Sequence, residues 1–312
     1  MRAAFMGTPE FAVPPLQALL DAGYDVVGAF TQPDKPRGRG HKLSACPVKA
    51  LAVERGVPVF QFERLRGKDG VAALRALDPD VCVTAAFGQI LSKRLLDIPR
   101  LGTLNVHASL LPKYRGPAPI NWCIAMGERE TGITIMYTDE GVDTGDIALS
   151  RAVQIGEAET AGELSARLAC LGAELLVEAL AALERGALPR VPQDHTTATH
   201  YPKLTKESGR IDWTRPAIEI ARMVRGFNPW PGAYMMFCGA LIKIWTARAV
   251  NAASAEPGEV ILADPKKGLT VACGEGALEI IALQAPGGKQ MDAKAYLRGN
   301  PLPKGTVFNN AR

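Results

Sequence analysis

The chain has 312 residues, 47% of them hydrophobic and 22% charged, with 36 Lys and Arg against 32 Asp and Glu. That is the composition of a globular protein able to bury a full core, and its length favours two domains over one. It excludes a disordered, highly charged chain, and no apolar run reaches bilayer length, so no membrane partner is expected.

From the amino end, apolar runs alternate with helical patterns. Strands are expected at Ala3–Met6, Asp25–Phe30, Val57–Gln61, Val81–Ala86, Thr103–Val106 and Ile133–Tyr137, and helices at Phe11–Ala22, Cys46–Arg55, Val71–Ala76 and Ala118–Met126. Such interleaving implies βαβ units around a parallel sheet. Leu164, Leu168, Leu171, Leu175 and Leu183 then mark one long helix. Residues 189–206 are rich in proline and threonine and read as an extended linker. Beyond it come a helix near Pro216–Arg225 and short strands at Ala233–Cys238, Leu241–Val250, Glu259–Leu262, Leu269–Ala272 and Ala277–Leu283, the pattern of a small barrel or sandwich. The expected division is 1–188, 189–206 and 207–312.

Met1 to Gly7 enters an apolar segment directly, without the marks of a signal or transit peptide, so a cytoplasmic protein is expected. Six cysteines lie far apart with no C-x-x-C pair, which reads as buried free thiols in a reducing compartment. Residues 34–49 hold Lys35, Arg37, Arg39, Lys42 and Lys49 against Asp34 alone, a net +4 that equals the charge of the whole chain. A solvated loop explains such a run; an arm that contacts phosphates explains it too.

Asn105-Val106-His107-Ala108-Ser109-Leu110-Leu111-Pro112 carries the sharpest chemistry. Asn105 and His107 are two apart, so on a strand both point to one face. A carboxamide donor beside an imidazole suits an oxyanion and a moving proton. Asp143, in the turn Glu140–Asp146, can orient the histidine. Each residue alone has a structural explanation: a strand-end Asn, a core His, a turn Asp. Ser109, Leu110, Leu111 and Pro112 suit a rigid wall for a flat heterocycle, and Phe87, Gln89 and Ile90, after another strand, suit a second wall at the carboxyl edge of the sheet. Gly7-Thr8-Pro9 lacks G-x-G-x-x-G, so no dinucleotide site is inferred.

With these residues the chain resembles the folate-dependent formyltransferases. Asn105, His107, Ser109–Pro112 and Asp143 mark that superfamily. The arginine-rich segment Phe30–Gly40 and the tail motifs Arg210-Ile-Asp-Trp213 and Phe227-Asn-Pro-Trp-Pro231 are similar to the branch that acts on methionyl-tRNA. The resemblance implies an α/β, Rossmann-like formyltransferase domain with a mainly parallel sheet, followed by a C-terminal OB-like β-barrel that binds tRNA. It implies formyl transfer from 10-formyltetrahydrofolate to the amino group of methionine on initiator methionyl-tRNA, for translation initiation. Asn105, His107 and Asp143 would be catalytic, the two walls would bind folate, and Lys35, Arg37, Arg39 and Lys42 would meet the tRNA. No metal is expected, and a monomer suffices. Ala108 departs from the commoner His-Gly-Ser, and alanine resists positive φ. A glycinamide-ribonucleotide formyltransferase, usually about 200 residues, would not need residues 205–312. An amino-sugar formyltransferase usually lacks the Pro-Arg-Gly-Arg-Gly-His-Lys loop. A pure RNA-binding module has no use for Asn105, His107 and Asp143 together.

Overall fold

The computed structural model describes residues 1–37, 42–253 and 255–308. The chain divides into two compact units that interleave along the sequence. The first comprises Met1–Pro119, Glu130–Gln154 and Ser165–Pro202; the second comprises Ile120–Arg129, Ile155–Leu164 and the chain from Lys203 onward.

In the first unit the chain runs β1 (Arg2–Gly7), α1 (Val13–Asp21), β2 (Asp25–Thr31), β3 (Lys35–Arg37), β4 (Lys42–Ser44), α2 (Pro47–Glu54), β5 (Val59–Gln61), α3 (Lys68–Leu77), β6 (Val81–Ala85), α4 (Lys93–Leu96) and β7 (Thr103–His107). It continues through α5 (Pro119–Met126), β8 (Glu130–Tyr137), β9 (Ile147–Gln154) and α6 (Ala161–Glu184), of which α5 and α6 straddle the division. The main sheet has the order β5-β2-β1-β6-β7-β8-β9. It is parallel from β5 to β7, and β8 and β9 add antiparallel. This is a Rossmann-like sheet. Ala3, Ala4, Phe5 and Met6 of β1 are fully buried, as a central strand covered on both faces requires. The carboxyl ends of β1, β2, β6 and β7 therefore share one edge, where open α/β sheets bind ligands.

The second unit carries α7 (Ala217–Gly226), β10 (Ala233–Phe237), β11 (Ala240–Val250), β12 (Val260–Asp264), β13 (Gly268–Ala272), β14 (Ala277–Gln284), β15 (Met291–Asp292) and α8 (Ala293–Gly299). Its sheet is antiparallel in the order β10-β11-β14-β13-β12, with β15 on β14. Register shifts bend β11 at Ile244–Ala247, as an OB-like sheet needs to curl. Ala217, Ile220, Ala221 and Val224 form the buried stripe of α7. Trp213, 2% exposed, anchors the core with Phe308 stacked at 6.1 Å.

The sequence reading lacked β3, β4, α4, β9, β15 and α8. All but β9 are too short to establish a period. β9 lies at the sheet edge with only Ala148 buried, so its apolar signal is weak. Asp292 caps α8 by accepting from the backbone of Lys294 and Ala295. All six cysteines are free. Cys82, Cys123 and Cys273 are buried, Cys46 is half-buried, and Cys170 and Cys238 are exposed. Burial pushes the Cys82 thiol up to about 12 and that of Cys273 up to about 11. Among the described residues no helix is long and apolar enough to cross a membrane.

Candidate active site

Asn105 and His107 close the parallel part of the sheet, side by side on one face of β7. Thr84, opposite Asn105 on β6, donates its hydroxyl to Asn105 Oδ1 at 2.8 Å. In that orientation the Nδ2 hydrogens, without an acceptor among the described residues, are left for a ligand.

His107 is 6% exposed. Its Nε2 lies 3.1 Å from the carbonyl oxygen of Tyr114. A carbonyl only accepts, so Nε2 carries the hydrogen. Nδ1 then faces Asp143 Oδ1 at 3.5 Å, beyond a direct hydrogen bond and close enough to share a proton through a small shift.

Asp143 reaches this place because the β8–β9 connection doubles back. At Gly145 a side chain would meet the Tyr137 carbonyl at 1.9 Å, so only glycine allows the fold-back. Asp143 itself has φ +53, a left-handed conformation that aspartate tolerates better than most residues. Its Oδ2 accepts from the Gly116 amide at 2.8 Å. Gly116 in turn has φ +110, and a Cβ there would lie 2.9 Å from the Tyr201 carbonyl. The three side chains that stand apart in sequence thus meet at one edge.

The expected folate walls are placed unevenly. Ser109 is fully buried and its hydroxyl donates to the Lys113 carbonyl at 2.7 Å. Thr134 of β8 donates to the Ser109 carbonyl and accepts from the Leu111 amide, which pins the segment to the sheet. Leu110 and Pro112 are half-buried, Leu111 is buried, and the Leu111–Pro112 peptide is cis. Ala108 is buried and is not among the residues with positive φ, so alanine brings no strain there. Phe87 belongs to the core cluster with Met6 and Phe30. Gln89 is committed at both ends, donating to the Phe62 carbonyl and accepting from the Leu65 amide. Ile90 is 65% exposed.

The basic arm forms a two-stranded ribbon in which Lys35 pairs with Ser44 and Arg37 with Lys42. Arg39 lies outside the described residues. Asp34 binds Lys49, and that bond, with a second from Gln61, holds its carboxyl below the usual range. The one acid of the arm is thus compensated.

Residues after α6 also enter the site, and periodicity gave no sign of them. The Tyr114 amide donates to Thr199 Oγ1, the Arg115 amide to the Thr199 carbonyl, and the Tyr114 ring stacks on Tyr201 at 5.0 Å. Gln193, 6% exposed, donates to the carbonyls of Asp143 at 3.0 Å and Gly145 at 2.7 Å.

Comparison with known proteins agrees in one direction. Residues 1–180 match the formyl transferase family, and residues 203–301 match the formyl transferase C-terminal domain. A methionyl-tRNA formyltransferase of Alkaliphilus oremlandii is 47% identical over 310 residues, covering 99% of both chains. One from Caldanaerobacter subterraneus subsp. tengcongensis is 49% identical over 309 residues, covering 99% of this chain and 100% of the relative. In fold, the chain is similar to HypX from Aquifex aeolicus in complex with tetrahydrofolic acid, at a TM-score of 0.65 and 20% identity, over 95% of this chain and 47% of that longer one.

Proposed function

The chain belongs to the formyl transferase family, among its methionyl-tRNA formyltransferases, and from that premise we propose that Asn105, His107 and Asp143 carry out the transfer. The enzyme formylates the methionine of initiator methionyl-tRNA and acts in translation initiation; a folate is its one-carbon partner. The donor we propose is 10-formyltetrahydrofolate. One observation supports the site assignment above the others: Asn105 and His107 share one face at the carboxyl end of β7, and the Asp143 carboxylate stands 3.5 Å from His107 Nδ1.

The chemistry follows from what each group still has to offer. The methionyl amine adds to the formyl carbon, and the formyl oxygen gains negative charge. Asn105 donates to that oxygen. His107, its Nε2 committed to Tyr114, acts through Nδ1. With Asp143 it takes the proton that the amine gives up and returns it to the folate nitrogen as the carbon–nitrogen bond to the donor breaks. Charge and atoms balance without a further reactant. The apolar side chains of Leu110, Leu111, Pro112 and Ile90, with Phe87 behind them, form the folate walls in this reading. Ser109 and Gln89 act there through the backbone they hold, because their polar atoms are already bonded.

Lys35, Arg37, Arg39 and Lys42 contact the tRNA in this proposal, together with the C-terminal unit. We assign 1–188 to catalysis, 189–206 to the connection and 207–312 to tRNA binding. One chain supplies all three catalytic side chains, so a monomer suffices, and we place the enzyme in the cytoplasm.

Replacing Asn105 with Ala is expected to lower kcat on the order of 10²–10³-fold, the usual effect of removing one oxyanion donor. The measurement is formyl transfer with methionyl initiator tRNA, glycinamide ribonucleotide and an amino-sugar nucleotide offered side by side. Near-normal turnover by Asn105→Ala would remove Asn105 from the mechanism.

A further inference from the structure

Gln193 stands in the proline- and threonine-rich segment that follows α6, yet it is 6% exposed and every polar valence of its amide is used. Its Oε1 accepts from Arg115 Nε at 3.2 Å and Nη2 at 2.7 Å. That fixes the amide so that Nε2 must point the other way. There it donates to two carbonyls, Asp143 at 3.0 Å and Gly145 at 2.7 Å. These carbonyls flank the turn that carries the catalytic carboxylate in left-handed backbone.

Arg115 is 3% exposed, and no carboxylate pairs with it among the described residues. Its Nη2 also lies 3.0 Å from His195 Nδ1. Burying a guanidinium without a counter-ion is costly unless its donors are all used. Here the fork is used to orient one neutral amide. The backbone of Arg115 is held too, by the Thr199 carbonyl and the Tyr201 amide. His195 must present Nδ1 as an acceptor, since a guanidinium only donates.

We propose that Gln193, oriented by Arg115, is a positioning residue for formyl transfer: it fixes the 143–145 turn so that the Asp143 carboxylate stays on His107 Nδ1. This rests on the reading of Asp143 given above. The segment after α6 is then a strap that completes the site rather than a tether alone.

The test uses Gln193→Glu in the full-length enzyme. Glutamate keeps the volume and the bond to Arg115 but replaces both donors with oxygen facing two carbonyls. The expected result is a kcat lower by about tenfold to a hundredfold, the usual range for a supporting partner of a functional side chain. KM for the folate donor and for methionyl-tRNA should stay within about twofold, because neither ligand is touched. Gln193→Met is the second variant, with thermal melting beside kinetics, should the glutamate not fold. Arg115→Lys, which keeps the charge and loses the fork, should retain more turnover than Arg115→Met. On an Asp143→Asn background, Gln193→Glu should add little further loss, since both act through one carboxylate.

A Gln193→Glu enzyme with unchanged kcat overturns the proposal, and so does a loss that multiplies fully with Asp143→Asn. Full turnover by Asp143→Asn alone would sink the catalytic reading of Asp143. A dead Asp143→Asn beside an active Gln193→Glu would sink only the present inference.

Discussion

Thr84 shows how much a neighbour decides at the scale of one residue. Its hydroxyl holds Asn105 Oδ1 at 2.8 Å, with Nδ2 turned away from it. Thr84→Val keeps the shape and removes that bond, worth about 1 kcal/mol net. The amide is then free to turn, and kcat should fall about tenfold while the fold survives, measured by single-turnover transfer beside a thermal melt. An unchanged rate would mean that Asn105 holds its orientation by packing alone. Asn105, His107 and Asp143 were legible in the sequence because their residue types and order carry chemistry. Thr84 sits in an apolar run, and Gln193 in a stretch with no periodicity. Their roles depend on which strand or strap lies beside them, which no local pattern encodes. Ser109 and Gln89 are the converse case: polar residues in the proposed folate walls whose polar atoms the structure spends on backbone.

Among elements, legibility followed length and burial. The parallel strands β1, β2 and β6 are largely apolar runs, as strands buried on both faces are, and α6 shows its leucine stripe over 24 residues. The antiparallel edge strand β9 and the seven-residue α8 were illegible for the opposite reason. Two tryptophans in the C-terminal unit separate stability from surface. Trp213 is 2% exposed and stacked on Phe308, while Trp230 is 52% exposed. Trp213→Ala should cost about 3–5 kcal/mol in chemical denaturation. Trp230→Ala should stay within about 0.5 kcal/mol, as surface changes do. Equal losses would mean that the Trp230 ring packs in solution against something its exposure does not reveal.

For the whole molecule, the net charge of +4 hides a division. Residues 1–202 hold 21 Lys and Arg against 23 Asp and Glu, a net −2, although the arm at 34–49 alone is +4. Residues 203–312 hold 15 against 9, a net +6. Positive charge is thus gathered on the arm and on residues 203–312. The logarithm of the affinity for methionyl-tRNA should fall linearly with the logarithm of salt concentration. Each arm cation that touches a phosphate should, when replaced by Ala, reduce that slope by about 1. Filter binding across a salt series measures this, and folate binding should not move. A slope that ignores Lys35, Arg37, Arg39 and Lys42 together would take the arm out of the tRNA interface. The thiols bear on another property of the whole. Cys82 and Cys273 are held far from the thiolate form by burial, and Cys123 is enclosed. The exposed pair falls one to each unit, Cys170 in the first and Cys238 in the second. Once Cys46 is replaced by Ser, the chain accepts a donor and an acceptor fluorophore, one on each unit, and energy transfer between them becomes a ruler for whether the two move when tRNA arrives.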